Sequence, residues 1–201
     1  MYRKPSLPFL TIALAGLLIA GAGPAMAQGI SGTFAFTASG SCIEVDAPAT
    51  FNSSFQPTAG PVFFDSFNSL GYRVFNTDGT GSQVTLLGVS TFVPVPPGTT
   101  FTPASSSASS WKIQSQFTYT MSGGIVTITL TPNSYLQTFL SGPRAGQTAT
   151  QDVLGAYGFI SPDGKTLITI SKSTEVETKT FSNNDVRKSV CNRSSQGFLV
   201  P

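Results

Sequence analysis

Few side chains in this sequence have the type and spacing to do chemistry. Ser109 and Lys112 stand three apart, the spacing of a serine nucleophile with a lysine base. That arrangement needs the serine at the start of a helix. Here Lys112 falls on the polar side of an alternating run, so the spacing reads as coincidence. Glu44 with Asp46, and Glu175 with Glu177, are i, i+2 pairs. On a strand such pairs stand about 6.5–7 Å apart, within the range of carboxylate pairs that cleave glycosidic bonds. Glu175, Glu177 and Lys179 alternate with Val176 and Thr178, however, and this pattern predicts a solvated outer face. Asn76, Asp78 and Thr80 supply oxygens but lack the terminal glutamate of a calcium loop, and they read as a hairpin turn. Arg144, inside Gly142-Pro143-Arg144-Ala145-Gly146, reads as a solvated loop charge rather than an anion site. Asn52-Ser53-Ser54 and Asn192-Arg193-Ser194 fit the glycosylation pattern and matter only in a eukaryotic secretory route.

What is missing narrows the field further. The 201 residues include no histidine, which removes the commonest catalytic base and the commonest metal ligand. We expect no catalytic residues, no metal, no cofactor and no enzymatic activity. Charged residues make up only 10% of the chain and the net charge is +2, too little to steer it to nucleic acid.

The first 27 residues predict a cleaved export signal. Arg3 and Lys4 precede an apolar run over Phe9 to Ala20, and Pro24 precedes Ala25-Met26-Ala27, with the cut between Ala27 and Gln28. The run is short for a membrane span, so no stable anchor is expected after cleavage. Residues 28–201 then form one domain with nine basic and nine acidic residues. The expected location is the periplasm or the medium. Its two cysteines, Cys42 and Cys191, predict one disulfide joining the start of the domain to its end.

Serine and threonine dominate the mature part, which favours strands and polar loops. Trp111, Ile113, Phe117, Tyr119 and Met121 alternate with Lys112, Gln114, Gln116, Thr118 and Thr120, a half-buried strand. Ser122-Gly123-Gly124 turns the chain, and Val126, Ile128 and Leu130 continue the inward face. Similar but weaker patterns over 32–38, 71–77, 83–93, 134–141, 148–160, 165–171, 174–181 and 186–191 predict an antiparallel barrel of about eight to ten strands, with a β-sandwich as the alternative. Two segments do not read as strands. Residues 45–69 carry Phe51, Phe55, Phe63, Phe64 and Phe67 among breakers, which predicts a flap over the sheet end or a lid on an apolar ligand. Residues 94–110 predict a surface loop.

Several pieces resemble a group of short exported bacterial proteins of uncharacterised function. These are Ser31-Gly32-Thr33-Phe34-Ala35-Phe36 leading to Cys42, Ser141 to Thr148, Asp163 to Leu167, Glu175 to Thr178, and Cys191-Asn192-Arg193-Ser194. More distantly, Gly32-Thr33-Phe34 looks like the first-strand signature of the calycin barrels, which include lipocalins, with Phe for the usual Trp. That resemblance implies a barrel-closing contact between Phe34 and a basic residue near the last strand, Arg193 or Arg187, and an interior able to hold a small apolar ligand. The expected function is an exported, non-enzymatic barrel that binds such a ligand. A structural or interaction protein of the cell envelope and a small outer-membrane barrel are the alternatives.

Overall fold

A computed structural model describes residues 29–95, 106–152, 154–172 and 174–201. The predicted signal and its cleavage point at Ala27 and Gln28 lie outside the described residues. All regular structure among the described residues is β. The strands are β1 (Gly32–Asp46), β2 (Val62–Phe75), β3 (Thr80–Val95), β4 (Ser107–Ser122), β5 (Ile125–Leu130), β6 (Leu136–Ser141), β7 (Thr148–Gln151), β8 (Gly155–Ile160), β9 (Thr166–Ser171), β10 (Val176–Phe181) and β11 (Val186–Leu199). They form one antiparallel sheet of eleven segments in the order β1-β2-β3-β4-β5-β8-β9-β11-β10-β7-β6, with further pairing of β1 to β11 and β4 to β6.

The register resolves this order into a simple meander. Strand β4 pairs with β5 through Phe117–Ser122 and with β6 through Ser110–Gln114. Strand β5 therefore continues into β6 along the same neighbour. Strands β7 and β8 likewise continue one another, as do β9 and β10, because each half pairs at a different height with the same flanking strands. The molecule is a closed ring of eight staves, three of them interrupted near mid-height. Pro132, which lacks an N–H, and Asn133, at φ 61°, make the first interruption. There the Ser134 hydroxyl takes over the ladder role, accepting from the Gln116 N–H (3.1 Å).

Cys42 and Cys191 sit directly opposite each other where β1 meets β11, and their sulfurs are bonded. The disulfide spans 149 residues of sequence. Closing so long a loop contributes roughly 4–5 kcal/mol in the chain-entropy account.

One end of the ring is plugged. Ile30, Phe34, Phe75, Phe117, Val126, Ile128 and Leu167 pack there as a buried cluster, with Phe75 edge-on to both Phe34 (5.6 Å) and Phe117 (5.1 Å). This end also carries the three hairpin turns at 76–79, 123–124 and 161–165 and the residues after Leu199. A second cluster, built on Trp111, Ile113, Tyr135, Phe139, Ala149 and Phe181, lines the other half.

The Phe-rich segment corrects the expected flap. Strand β2 begins at Val62, so Phe63, Phe64 and Phe67 belong to a regular strand. Phe51 is the segment's anchor on the outside of the ring, packed with Val45, Ala49, Val62 and Val190. Phe55 is exposed at a turn. Both ends of the loop expected over 94–110 are strand, since β3 runs to Val95 and β4 starts at Ser107, and 96–105 lie outside the described residues.

Wide aromatics fit inside because β3 presents glycine to them. Gly88 faces Trp111 across the β3–β4 ladder, and the indole lies flat over it, so that a Cβ at this position would overlap the ring. We expect Gly88→Ala to lower unfolding stability by about 2 kcal/mol, the usual cost of overpacking. A urea melt measures it, and an unchanged midpoint would mean that Trp111 is free to move aside.

Candidate functional site

Alternate residues of every stave point into the ring, and the plug stops short of filling it. What remains is an interior cavity of about 550 Å³. It extends from Phe36 and Arg73 beneath the plug, past Phe67 and Trp111, to Arg144 and Asp185 in the turns at the opposite end. Its wall mixes aromatic surface with charge, and each charged group occupies a distinct height.

Deepest is Arg73 on β2. Its Nη1 donates to the hydroxyls of Ser195 (2.9 Å) and Thr169 (3.3 Å), its Nε donates to the Gln83 amide oxygen, and the guanidinium lies 4.7 Å from the Phe36 ring centre. No carboxylate pairs with it among the described residues. Burial without a counter-charge pulls its pKa down to about 10, which still leaves it cationic at neutral pH.

At mid-height Arg193 of β11 forms a two-pronged ion pair with Glu177 of β10, and Gln151 of β7 donates to the same carboxylate (2.6 Å). Tyr135 is buried in the same layer, and burial raises its pKa above the ordinary tyrosine value. Toward the turn-rich end Arg187 binds Asp46 (2.7 Å) and Glu44 (3.0 Å) and lies over the stacked rings of Phe63 and Phe92. Arg144 rests on the face of Phe181, 3.6 Å from its centre, and reaches Asp185 (3.3 Å).

Asp65, also on β2, breaks this pattern of pairing. Its Oδ1 is buried and has no hydrogen-bond partner among the described residues. Burial, reinforced by the nearby Glu44 charge, raises its pKa to about 6 against the opposing pull of Lys179 and Arg187.

The residues singled out from sequence separate cleanly. Ser109 faces the cavity while Lys112 points out of the ring, so three positions along a strand divide the pair. Glu44 and Asp46 share one face but are both held by Arg187. Glu175 is exposed before β10 begins, whereas Glu177 and Lys179 line or approach the interior, which reverses the solvated face expected for them. The polar face of β10 turns inward because it meets Arg193 and Gln151 there. Asp78 closes its turn by accepting from the Thr80 N–H (2.9 Å), as expected of a hairpin. The expected contact between Phe34 and Arg193 is not made. Phe34 belongs to the plug, while Arg193 faces Gly40 across the β1–β11 ladder and goes to Glu177. The basic residue beside the first-strand aromatics is Arg73, which is opposite Phe34 on β2. Of the five phenylalanines, only Phe67 is on the cavity wall proper.

No group of three or more acidic or cysteine side chains able to hold a metal occurs among the described residues. No described helix is long and apolar enough to cross a membrane, which says nothing of crossing by strands. Searched against family models and curated proteins, the chain matches none.

Asp65 sets a pH dependence of stability. Its folded pKa lies above the ordinary 3.8, so the stability that its protonated form contributes is complete below about pH 4 and is lost as the pH rises through about 6. Asp65→Asn is expected to stabilise the protein at pH 8 by on the order of 2 kcal/mol and to change little at pH 4. Urea melts at both pH values check this, and destabilisation at pH 8 would mean that the ionised carboxylate is held by its cationic neighbours.

Proposed function

We propose that this chain is an exported, non-enzymatic binding module that holds one small, largely apolar ligand inside its barrel. The observation that carries the proposal is the cavity of about 550 Å³, which lies between a packed plug and a turn-rich end and is walled in its middle by Phe67, Trp111, Ile113, Leu130 and Tyr135. Volumes of this size suit small organic ligands. An eight-stave ring is also about the size at which an interior can keep room for one such ligand. The same architecture supports the resemblance to calycin barrels. The disulfide supports export to an oxidising compartment, the periplasm or the medium. The carboxylates that had the spacing for catalysis are tied to arginines or lie apart, which favours binding over turnover.

One observation favours a second reading, attachment to another component of the cell envelope. Ile125, Phe159 and Ile168 are cross-strand neighbours on the outside of the ring, with Tyr157 and Ile170 in the next row, and all are exposed. Immersion in lipid on every side fits less well. The outward faces of β4 and β11 carry Lys112, Gln114, Gln116, Asn192, Ser194 and Gln196, polar groups that are costly against acyl chains.

Trp111 is the only tryptophan and is on the cavity wall, so it reports occupancy. Addition of a neutral apolar fluorophore such as N-phenyl-1-naphthylamine is expected to quench Trp111 by energy transfer. Ala38→Phe, which puts a ring into the cavity, is expected to weaken that binding about ten-fold or more through steric exclusion. A protein that purifies empty by native mass spectrometry and leaves Trp111 unchanged on titration would overturn the proposal.

A further inference from the structure

The cations inside the ring are not equivalent. Arg187 has two carboxylates and Arg193 has one, so both are neutralised where they stand. Arg73 is deeper than either, beneath the plug, and its partners are an amide and two hydroxyls, all uncharged. Burying a full charge without an opposite one is strongly unfavourable. Two further details show where the missing charge belongs. The three hydrogen bonds use Nε and Nη1, while Nη2 has no partner among the described residues. Arg73 also lines the cavity, so this unused edge of the guanidinium borders open space. The hydroxyls of Thr169 and Ser195 bond each other at 2.6 Å and both accept from Nη1. The group is held in place and has unused hydrogen-bonding capacity.

We infer that Arg73 is the seat for an anionic head group, and that the ligand of this barrel is an amphiphile bearing one carboxylate, bound head-first. This deepens the proposed function and rests on it. Nη2 is left to donate, and a charge-assisted bond from it to a carboxylate in a dry site is stronger than a neutral one. The rest of the ligand lies along Leu130, Phe67 and Trp111 toward the turn-rich end. Phe67 is six residues from Arg73 on the same strand, about 20 Å at the usual rise, which leaves length for a slender chain. The ligand supplies the counter-ion that the fold omits.

Octanoate and octanol are a test pair that differ chiefly in the head group. The protein, purified with its disulfide intact, is titrated with each at pH 8 by calorimetry. Octanoate is expected to bind about ten-fold or more tightly than octanol, the ratio of a charge-assisted to a neutral hydrogen bond. Arg73→Met is expected to abolish that preference and to keep octanol binding. Thr169 and Ser195 still satisfy each other in that variant, and a thermal melt checks that it folds. Equal binding of the two ligands to the parent protein would overturn the seat at Arg73 and leave the binding module standing, and this comparison does not depend on the variant folding. An octanoate preference that survives in Arg73→Met would place the anion elsewhere and overturn the assignment. Failure of both ligands to bind would overturn the binding module and the inference together.

Discussion

Closure of the sheet is the constraint on which the rest of the molecule depends. Strands β1 and β11, the first and last of the described chain, pair along almost their whole length, from Phe34 opposite Leu199 to Asp46 opposite Arg187. Without that ladder the sheet has two free edges, and its inward charges face water from an open trough. With it, Arg187 of the last strand reaches Glu44 and Asp46 of the first, and the interior is defined. The Cys42–Cys191 bond is in this same ladder. It cross-links strands that are neighbours in space but maximally separated in sequence, the pairing with the largest entropic cost of formation.

Inside the closed ring, polar and apolar layers alternate along the axis. The plug is aromatic and aliphatic, the next layer holds Arg73 with its hydroxyl partners, Trp111 and Phe67 follow, the Arg193–Glu177 pair stands at mid-height, and the Arg187 pairs occupy the outer half. A buried ion pair contributes little net stability compared with apolar packing, but breaking one is costly. The pairs therefore act mainly to hold specific staves together. Glu177 is the clearest case, since it joins β10 to β11 through Arg193 and to β7 through Gln151.

Strands were legible in the sequence where their inward residues are apolar. Trp111 to Met121 and Ile125 to Leu130 show a clear period of two, because both contribute to packed clusters. The same period is present in β2, but its inward positions read Phe63, Asp65, Phe67, Ser69 and Arg73, a mixture that conceals the alternation. Strand β10 shows the opposite error, with Glu177 and Lys179 assigned to solvent because they are charged. Both misreadings have one physical source. Hydrophobic periodicity detects a filled interior, whereas this interior retains space and charge. The disulfide was readable from two cysteines behind a predicted export signal. The solitary state of Arg73 was not, because it depends on which side chains from β3, β9 and β11 surround it.

The three interruptions, between β5 and β6, β7 and β8, and β9 and β10, lie side by side across consecutive staves. Above and below this belt the girth of the ring is fixed by amide-to-carbonyl spacing, which no substitution alters. Within it, side chains such as Ser134 and Ser171 span the gaps in place of the ladder. Residue size there sets the local bore. Two chains with the same number of staves could thus differ in internal width at this level alone, a way of varying capacity without redesigning the wall.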